Sequence, residues 1–223
     1  MEQDVYVVIQ GYDHPSQQGK PAGCADEDLA IVNATSASAK YLKSHPPLKV
    51  ICFTGGDNPD PSADILTKIE QARAANPGGK VLLAGGSAGG KNVLKVAAAL
   101  TAKNVPIGFI GLWDAAFDRP DRTELLKKPG VKAERMINWY QTFSESLDDE
   151  KVQEIHDEVA GFQNIQLDYY PPMLMVRASY LATGICSLTG WIRQKFWDMG
   201  HTTAYQFARD ASRWHVRNVL IGS

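Results

Sequence analysis

The sequence predicts an α/β protein, a three-layer α/β/α sandwich with a mostly parallel central sheet. Two observations predict it. Short β-branched runs alternate with longer helical stretches from Val5 through Asp114, the pattern of a parallel sheet with helices on its faces. The composition is that of an ordinary soluble chain, 44% hydrophobic and 22% charged over 223 residues, which is enough to bury a large core without disulfides or metals. That length favours one domain over residues 1–223. There is no internal repeat and no low-complexity segment.

Val5 to Ile9 (VYVVI) reads as the first strand, ending at Gly11. After a loop rich in Pro, Gly and Gln, Asp26 to Lys43 reads as a helix. Asp26, Glu27 and Asp28 stand at its start, where the helix dipole favours negative charge. Val50 to Phe53 is the second strand, ending in Gly55-Gly56, and Ser62 to Ala75 is a helix closed by Pro77-Gly78-Gly79. Val81 to Ala84 is the third strand. Gly89 to Lys103, rich in Ala, Val and Leu, reads as a buried helix. Ile107 to Leu112 is the fourth strand, and its two glycines predict close approach by a neighbouring element.

After Asp114 the pattern loosens. Ala116 to Gly130 is polar with two prolines and reads as loop. Ala133 to Phe143 reads as a helix with an aromatic face, and Asp148 to Val159 as a charged, exposed helix. Ile165 to Tyr169 reads as a fifth strand. Pro171 to Gly200 is apolar and aromatic without a clear period, and His201 opens a final helix running to about Val219.

Several function classes are disfavoured at once. Lys+Arg 23 against Asp+Glu 25 gives a net charge of -2, which argues against a protein built around nucleic-acid phosphates. No apolar stretch is long enough to span a membrane. Cys24, Cys52 and Cys186 have no metal-ligand spacing and cannot close a disulfide framework, so they read as free thiols of a reducing compartment. The start, MEQDVYVVIQGYD, is acidic where a signal peptide would be positive. The expected location is therefore the cytoplasm, or the outside of the cell by a leaderless route.

The informative segment is VLLAGGSAGGKNVLKVAAAL, residues 81–100, between a strand and a helix. It fits two patterns. One is G-x-S-x-G, Gly85-Gly86-Ser87-Ala88-Gly89. There a serine sits on a strained strand-to-helix turn, its hydroxyl raised above the sheet at a helix N-terminus that favours developing negative charge. The other is the phosphate-binding P-loop, matched by Gly85 and Gly90-Lys91 but broken at Asn92, where a hydroxyl should hold magnesium. A P-loop also usually follows the first strand, and here two strand–helix units come before it.

A serine nucleophile needs a base, and the base needs an orienting carboxylate. Ser87, Asp114 and His201 occur in that order, with Asp114 just past a predicted strand end and His201 in a Gly-His-Thr-Thr turn before the last helix. On these residues the chain resembles the α/β-hydrolase superfamily, in particular small lipase-like members whose acid follows the strand after the nucleophile helix. The resemblance implies a Ser87-His201-Asp114 triad. It also implies an oxyanion hole built from the Ala88 N–H and a second N–H from the loop after an earlier strand. By element order that loop is Gly11-Tyr12, although its sequence, Gln10-Gly11-Tyr12-Asp13, lacks the family's usual His-Gly signature. Gly55-Gly56 competes for the second role.

Blander readings stand beside these. Ser87 could be only a helix N-cap, and Asp114 only a turn residue. Asp168 and Asp118 are rival acids. His45 and His156 read as surface residues, His215 as packing or surface, and His14 as a residue able to line the site. In the segment before His201, Trp191, Phe196, Trp197 and Met199 read either as an acyl pocket or lid, or as core beneath a long loop. Asn138-Trp139-Tyr140-Gln141 reads either as pocket lining or, more simply, as core packing. No H-x-x-x-H or H-E-x-x-H occurs, so no zinc site is expected, and a Ser-His-Asp mechanism implies no metal or organic cofactor.

The expected function is a serine esterase or lipase-like hydrolase acting on a small-molecule or lipid ester. The alternatives are a P-loop-like nucleotide-binding protein using Gly85 to Lys91, and a hydrolase fold serving as a non-catalytic binding module.

Overall fold

The computed structural model describes residues 3–11, 48–53, 62–74, 77–117, 122–141, 157–167 and 204–216. Their six strands are β1 (Val5–Ile9), β2 (Lys49–Phe53), β3 (Val81–Ser87), β4 (Ile107–Ala115), β5 (Arg135–Tyr140) and β6 (Gln163–Gln166). They form one sheet in the order β2-β1-β3-β4-β5-β6, and every pairing is parallel. Strands covered on both faces read as unbroken apolar runs. All five residues of β1 and all nine of β4 are buried.

Residue parity assigns the two faces. Val5, Val7 and Ile9 pack with Ile65 and Ile69 of α1 (Ser62–Arg73) and with Val93, Leu94, Val96 and Leu100 of α2 (Ala88–Ala102). Tyr6 and Val8 point the other way, into a second core with Ala204, Ala208 and Val216 of α3 (residues 204–216). Helices on both faces of a parallel sheet make the three-layer α/β/α architecture that the alternating pattern predicts. The expected close approach at the β4 glycines is present at Gly111, where a methyl group would fall 2.9 Å from Ser212 Oγ of α3. Among the described residues, no helix is long and apolar enough to cross a membrane.

Three expectations are corrected. The helix expected over 133–143 is the strand β5, paired in register with β4 from Phe109↔Arg135 to Trp113↔Trp139. Its side chains alternate with period two: Ile137 and Trp139 face the α3 core and Met136 the opposite one. Aromatic residues counted at helical spacing concealed that alternation. Within the expected loop 116–130, Arg122–Leu126 forms one π-helical turn that buries Leu125 and Leu126. The strand expected at 165–169 is β6 and begins at Gln163.

The charged helix expected over 148–159 lies outside the described residues up to 156, and residues 157–159 are not helical. A side-chain network holds them instead. Asn138 Nδ2 donates to Asp157 O (3.0 Å) and to Asn164 Oδ1 (2.8 Å). Asn164 Oδ1 also accepts from Val159 N (2.9 Å), while its Nδ2 donates to Val159 O and Phe162 O, each at 3.1 Å. Satisfying backbone groups from a side chain in this way removes the hydrogen bonds a helix would need there. The helix expected over 26–43 lies outside the described residues.

The thiol expectation also changes. Cys52 is disulfide-bonded, and its partner lies outside the described residues. The premise of three free cysteines therefore fails at Cys52.

His215 is packing, as one of its two readings had it. It is buried and stacks on Phe109 with ring centroids 5.1 Å apart. Burial first, and the Arg135 charge second, hold its pKa below the ordinary value of about 6.5. The unfolded chain then binds a proton that the native protein resists. This linkage leaves stability unaffected well above pH 6.5 and erodes it as pH falls below about 6.5. His215→Phe keeps the stacked ring and removes the proton site. Between about pH 7.5 and about pH 5.5, the native protein is expected to lose more Tm than His215→Phe does. Identical slopes in thermal melts across that range would contradict the assignment.

Candidate active site

The chain leaves β1 to form β2 on one side, then returns to place β3 on the other. The crevice at the carboxyl ends of β1 and β3 is therefore the topological switch point, where open parallel sheets bind their ligands. Gly11 follows β1 and Ser87 ends β3, so both lie at that crevice.

Ser87 has φ 49° and ψ −134°, an unfavourable conformation for a residue with a Cβ, costing on the order of 1–3 kcal/mol. Its side chain makes no capping hydrogen bond to α2, which removes the plain N-cap reading. Strand β3 runs three residues further than the sequence suggests, and α2 begins at the next residue, Ala88. The turn is this sharp because both motif glycines press on β1: a Cβ at Gly85 or Gly89 would collide with the carbonyl oxygen of Ile9. Strand and helix meet with no loop between Gly85 and Lys91, so the segment lacks the phosphate-cradling loop that the P-loop alternative requires. Asn92, the residue that breaks that motif, is buried in α2.

Gly11 lies against the serine. A methyl group placed on it would fall 2.7 Å from Ser87 Cβ and 3.4 Å from Ser87 Oγ. The backbone of the segment expected to provide the second oxyanion donor is thus beside the hydroxyl. Tyr12 and the competing Gly55-Gly56 lie outside the described residues.

Asp114 owes its position to a β-bulge. Gly86 pairs with Trp113 and Ser87 with Ala115, so Asp114 is the extra residue between them. Its φ of 46° is one of three positive values at non-glycine residues among the described residues, and the other two are at Ser87 and Asn104. Bulges re-aim side chains beside functional sites. Asp114 was expected in a loop past the strand, and the structure places it inside β4, fully buried. Its Oδ1 accepts a hydrogen bond from the backbone N–H of Gln141 at 3.1 Å, at the end of β5. Sequence pattern alone does not reveal this donor, because residues 133–143 read as helix. Ala116 N donates to Ser87 O at 2.9 Å, tying the bulge to the serine turn.

The structure therefore brings Ser87, Ala88, Gly11 and Asp114 to one end of three neighbouring strands. His201, the rival acids Asp118 and Asp168, and Trp191, Phe196, Trp197 and Met199 lie outside the described residues. Among the described residues, no group of three or more His, Cys, Asp or Glu could hold a metal ion.

No protein-family model matches the chain, and no curated protein matches it. Among solved structures, the chain is similar to a cutinase-like protein from Cryptococcus sp., with 18% identity and a TM-score of 0.30. That match covers 50% of this chain and 54% of the other, so the chain spans about half the length of that protein. It is also similar to the NocB thioesterase domain in covalent complex with a fluorophosphonate nocardicin G analog, with 13% identity, a TM-score of 0.35 and 95% of each chain covered. A third similarity is to YbtT, a type II thioesterase from the yersiniabactin NRPS/PKS biosynthetic pathway. Identity there is 11% and the TM-score 0.31, over 80% of this chain and 90% of the other. These similarities are weak, and the chemistry rests on the site itself.

Proposed function

We propose that the protein is a serine hydrolase that cleaves a carboxylic ester or a related acyl bond. One observation carries the reading. A strained serine closes β3 at the switch point, does not cap its helix, and has the Gly11 backbone beside its hydroxyl. Strain of this kind persists only where the surroundings enforce it, and it concentrates at functional sites.

In this reading Ser87 Oγ attacks the acyl carbonyl carbon. His201 takes the hydroxyl proton and passes it to the leaving oxygen as the tetrahedral intermediate collapses to an acyl-enzyme. Water then repeats the sequence and frees the acid. The Ala88 N–H at the start of α2, with a second backbone donor at Gly11-Tyr12, stabilises the oxyanion. Each such donor is worth about 100-fold or more in rate. Asp114 orients the imidazole. Its Oδ1 is engaged by Gln141 N, which fixes the carboxylate plane.

Chain reach supports the choice of His201. It lies three positions before Ala204, the first described residue of α3, and α3 packs beside the serine turn. Three extended residues span at most about 11 Å. In the same reading Trp191, Phe196, Trp197 and Met199 form the acyl pocket or lid, residues 1–223 form one domain, and the reaction needs no cofactor.

The test is turnover of nitrophenyl esters of increasing acyl length. Saturable release, with an optimum at one chain length, is the expected result. Release no faster than in buffer for every ester and thioester would contradict the proposal.

A further inference from the structure

Tyr205, on α3, touches the neighbours of two candidate catalytic residues. A methyl placed on Gly86, the residue before Ser87, would fall 2.5 Å from Tyr205 Cε2 and 2.8 Å from Trp113 Cβ. The Tyr205 ring also meets Trp113, the residue before Asp114, edge to face, with centroids 5.8 Å apart and planes at 89°. Gly86 and Trp113 are register partners across β3 and β4, immediately before the bulge that displaces Asp114. Tyr205 itself follows His201 by four residues.

We infer that Tyr205 is a positioning residue that sets the serine turn and the Asp114 bulge relative to one another. The inference rests on the serine-hydrolase reading. Its physical basis is the shape of the contact. Gly86 has no side chain, so the flat ring comes right up to the backbone of β3, and the ring edge meets the indole of Trp113 in the geometry aromatic pairs prefer. A side chain without a planar ring fills the space but does not keep this ring-on-backbone and edge-to-face contact, which sits where the β3–β4 register shifts. Small displacements at such a site act on the orientation of reacting groups, where a misplacement of about 1 Å can cost on the order of 100-fold.

The test compares Tyr205→Leu with Tyr205→Phe. Leucine retains apolar bulk, so both variants are expected to fold, and circular dichroism and thermal melts check that they do. Tyr205→Leu is expected to lower kcat for nitrophenyl ester hydrolysis by about 10- to 100-fold, with KM changed less than about threefold, and to slow fluorophosphonate labelling of Ser87 in proportion. Tyr205→Phe is expected to stay within about threefold of the native protein on both readouts. A purely structural residue would lower Tm without this kcat-against-KM split. Native-like kcat and labelling in folded Tyr205→Leu would overturn the inference, as would an equal loss in Tyr205→Phe. If the native protein itself neither labels nor turns over, the serine-hydrolase reading fails, and that outcome is distinct from both.

Discussion

Ser87→Ala is expected to lower kcat for ester hydrolysis by on the order of 10⁴- to 10⁶-fold, with little change in Tm. The size follows from the role. Without Oγ no acyl-enzyme forms, and only the oxyanion donors and substrate binding remain to accelerate attack by water. The fold is expected to tolerate the change because the features that build the turn lie elsewhere. Gly85 and Gly89 meet Ile9, Ala116 N holds Ser87 O, and the serine side chain does not cap α2. Alanine also keeps the Cβ, so the backbone strain is neither relieved nor increased. Steady-state kinetics beside a thermal melt separate the two effects. A variant that retained more than about a tenth of native kcat would remove Ser87 from the mechanism.

Asp114→Asn is expected to cost about 10³- to 10⁴-fold in kcat. Asparagine matches aspartate in volume and is among the residues that best tolerate positive φ, so the bulge persists. Its amide oxygen can still accept the Gln141 N–H. The negative charge is lost, and with it the preference for the imidazole tautomer whose other nitrogen takes the serine proton. Asp114→Ala is expected to destabilise as well, since it leaves a buried backbone donor unmet at a cost of about 1–3 kcal/mol. Asp168→Asn is the comparison that matters. It is expected to stay near native activity, and a large loss there with a small one at Asp114 would reassign the acid.

The amphipathic and apolar runs made the first half of the fold legible. Strand β1 was read to the residue, and α1, α2, β2 and β4 to within a few positions, because buried parallel strands and apolar helices leave strong local signals. Strand β5 was not legible. Its buried Asn138 interrupts the apolar run and Arg135 opens it with a charge, and its register comes from pairing with β4 rather than from its own composition. The same tertiary dependence hid Gln141 as the donor to Asp114.

At the site, G-x-S-x-G marks the serine because its spacing encodes a local backbone shape, which the positive φ of Ser87 at the end of β3 expresses. The bulge at Asp114 had no local signature, since it exists only as a mismatch between the registers of two strands. For the same reason the extent of β3 was underestimated. Gly85, Gly86 and Ser87 look like turn residues in sequence and are strand in the structure, held by β1 and β4 on either side.

The most direct test of the central claim is intact-mass spectrometry after treatment with a fluorophosphonate, run on the native protein and on Ser87→Ala. The reagent forms a stable phosphonyl ester only with a serine activated by a base and an oxyanion site. The account predicts one adduct on the native protein, mapped by peptide digestion to Ser87, and none on the variant. A folded native protein that takes up no adduct, or one whose adduct survives in Ser87→Ala, would contradict it.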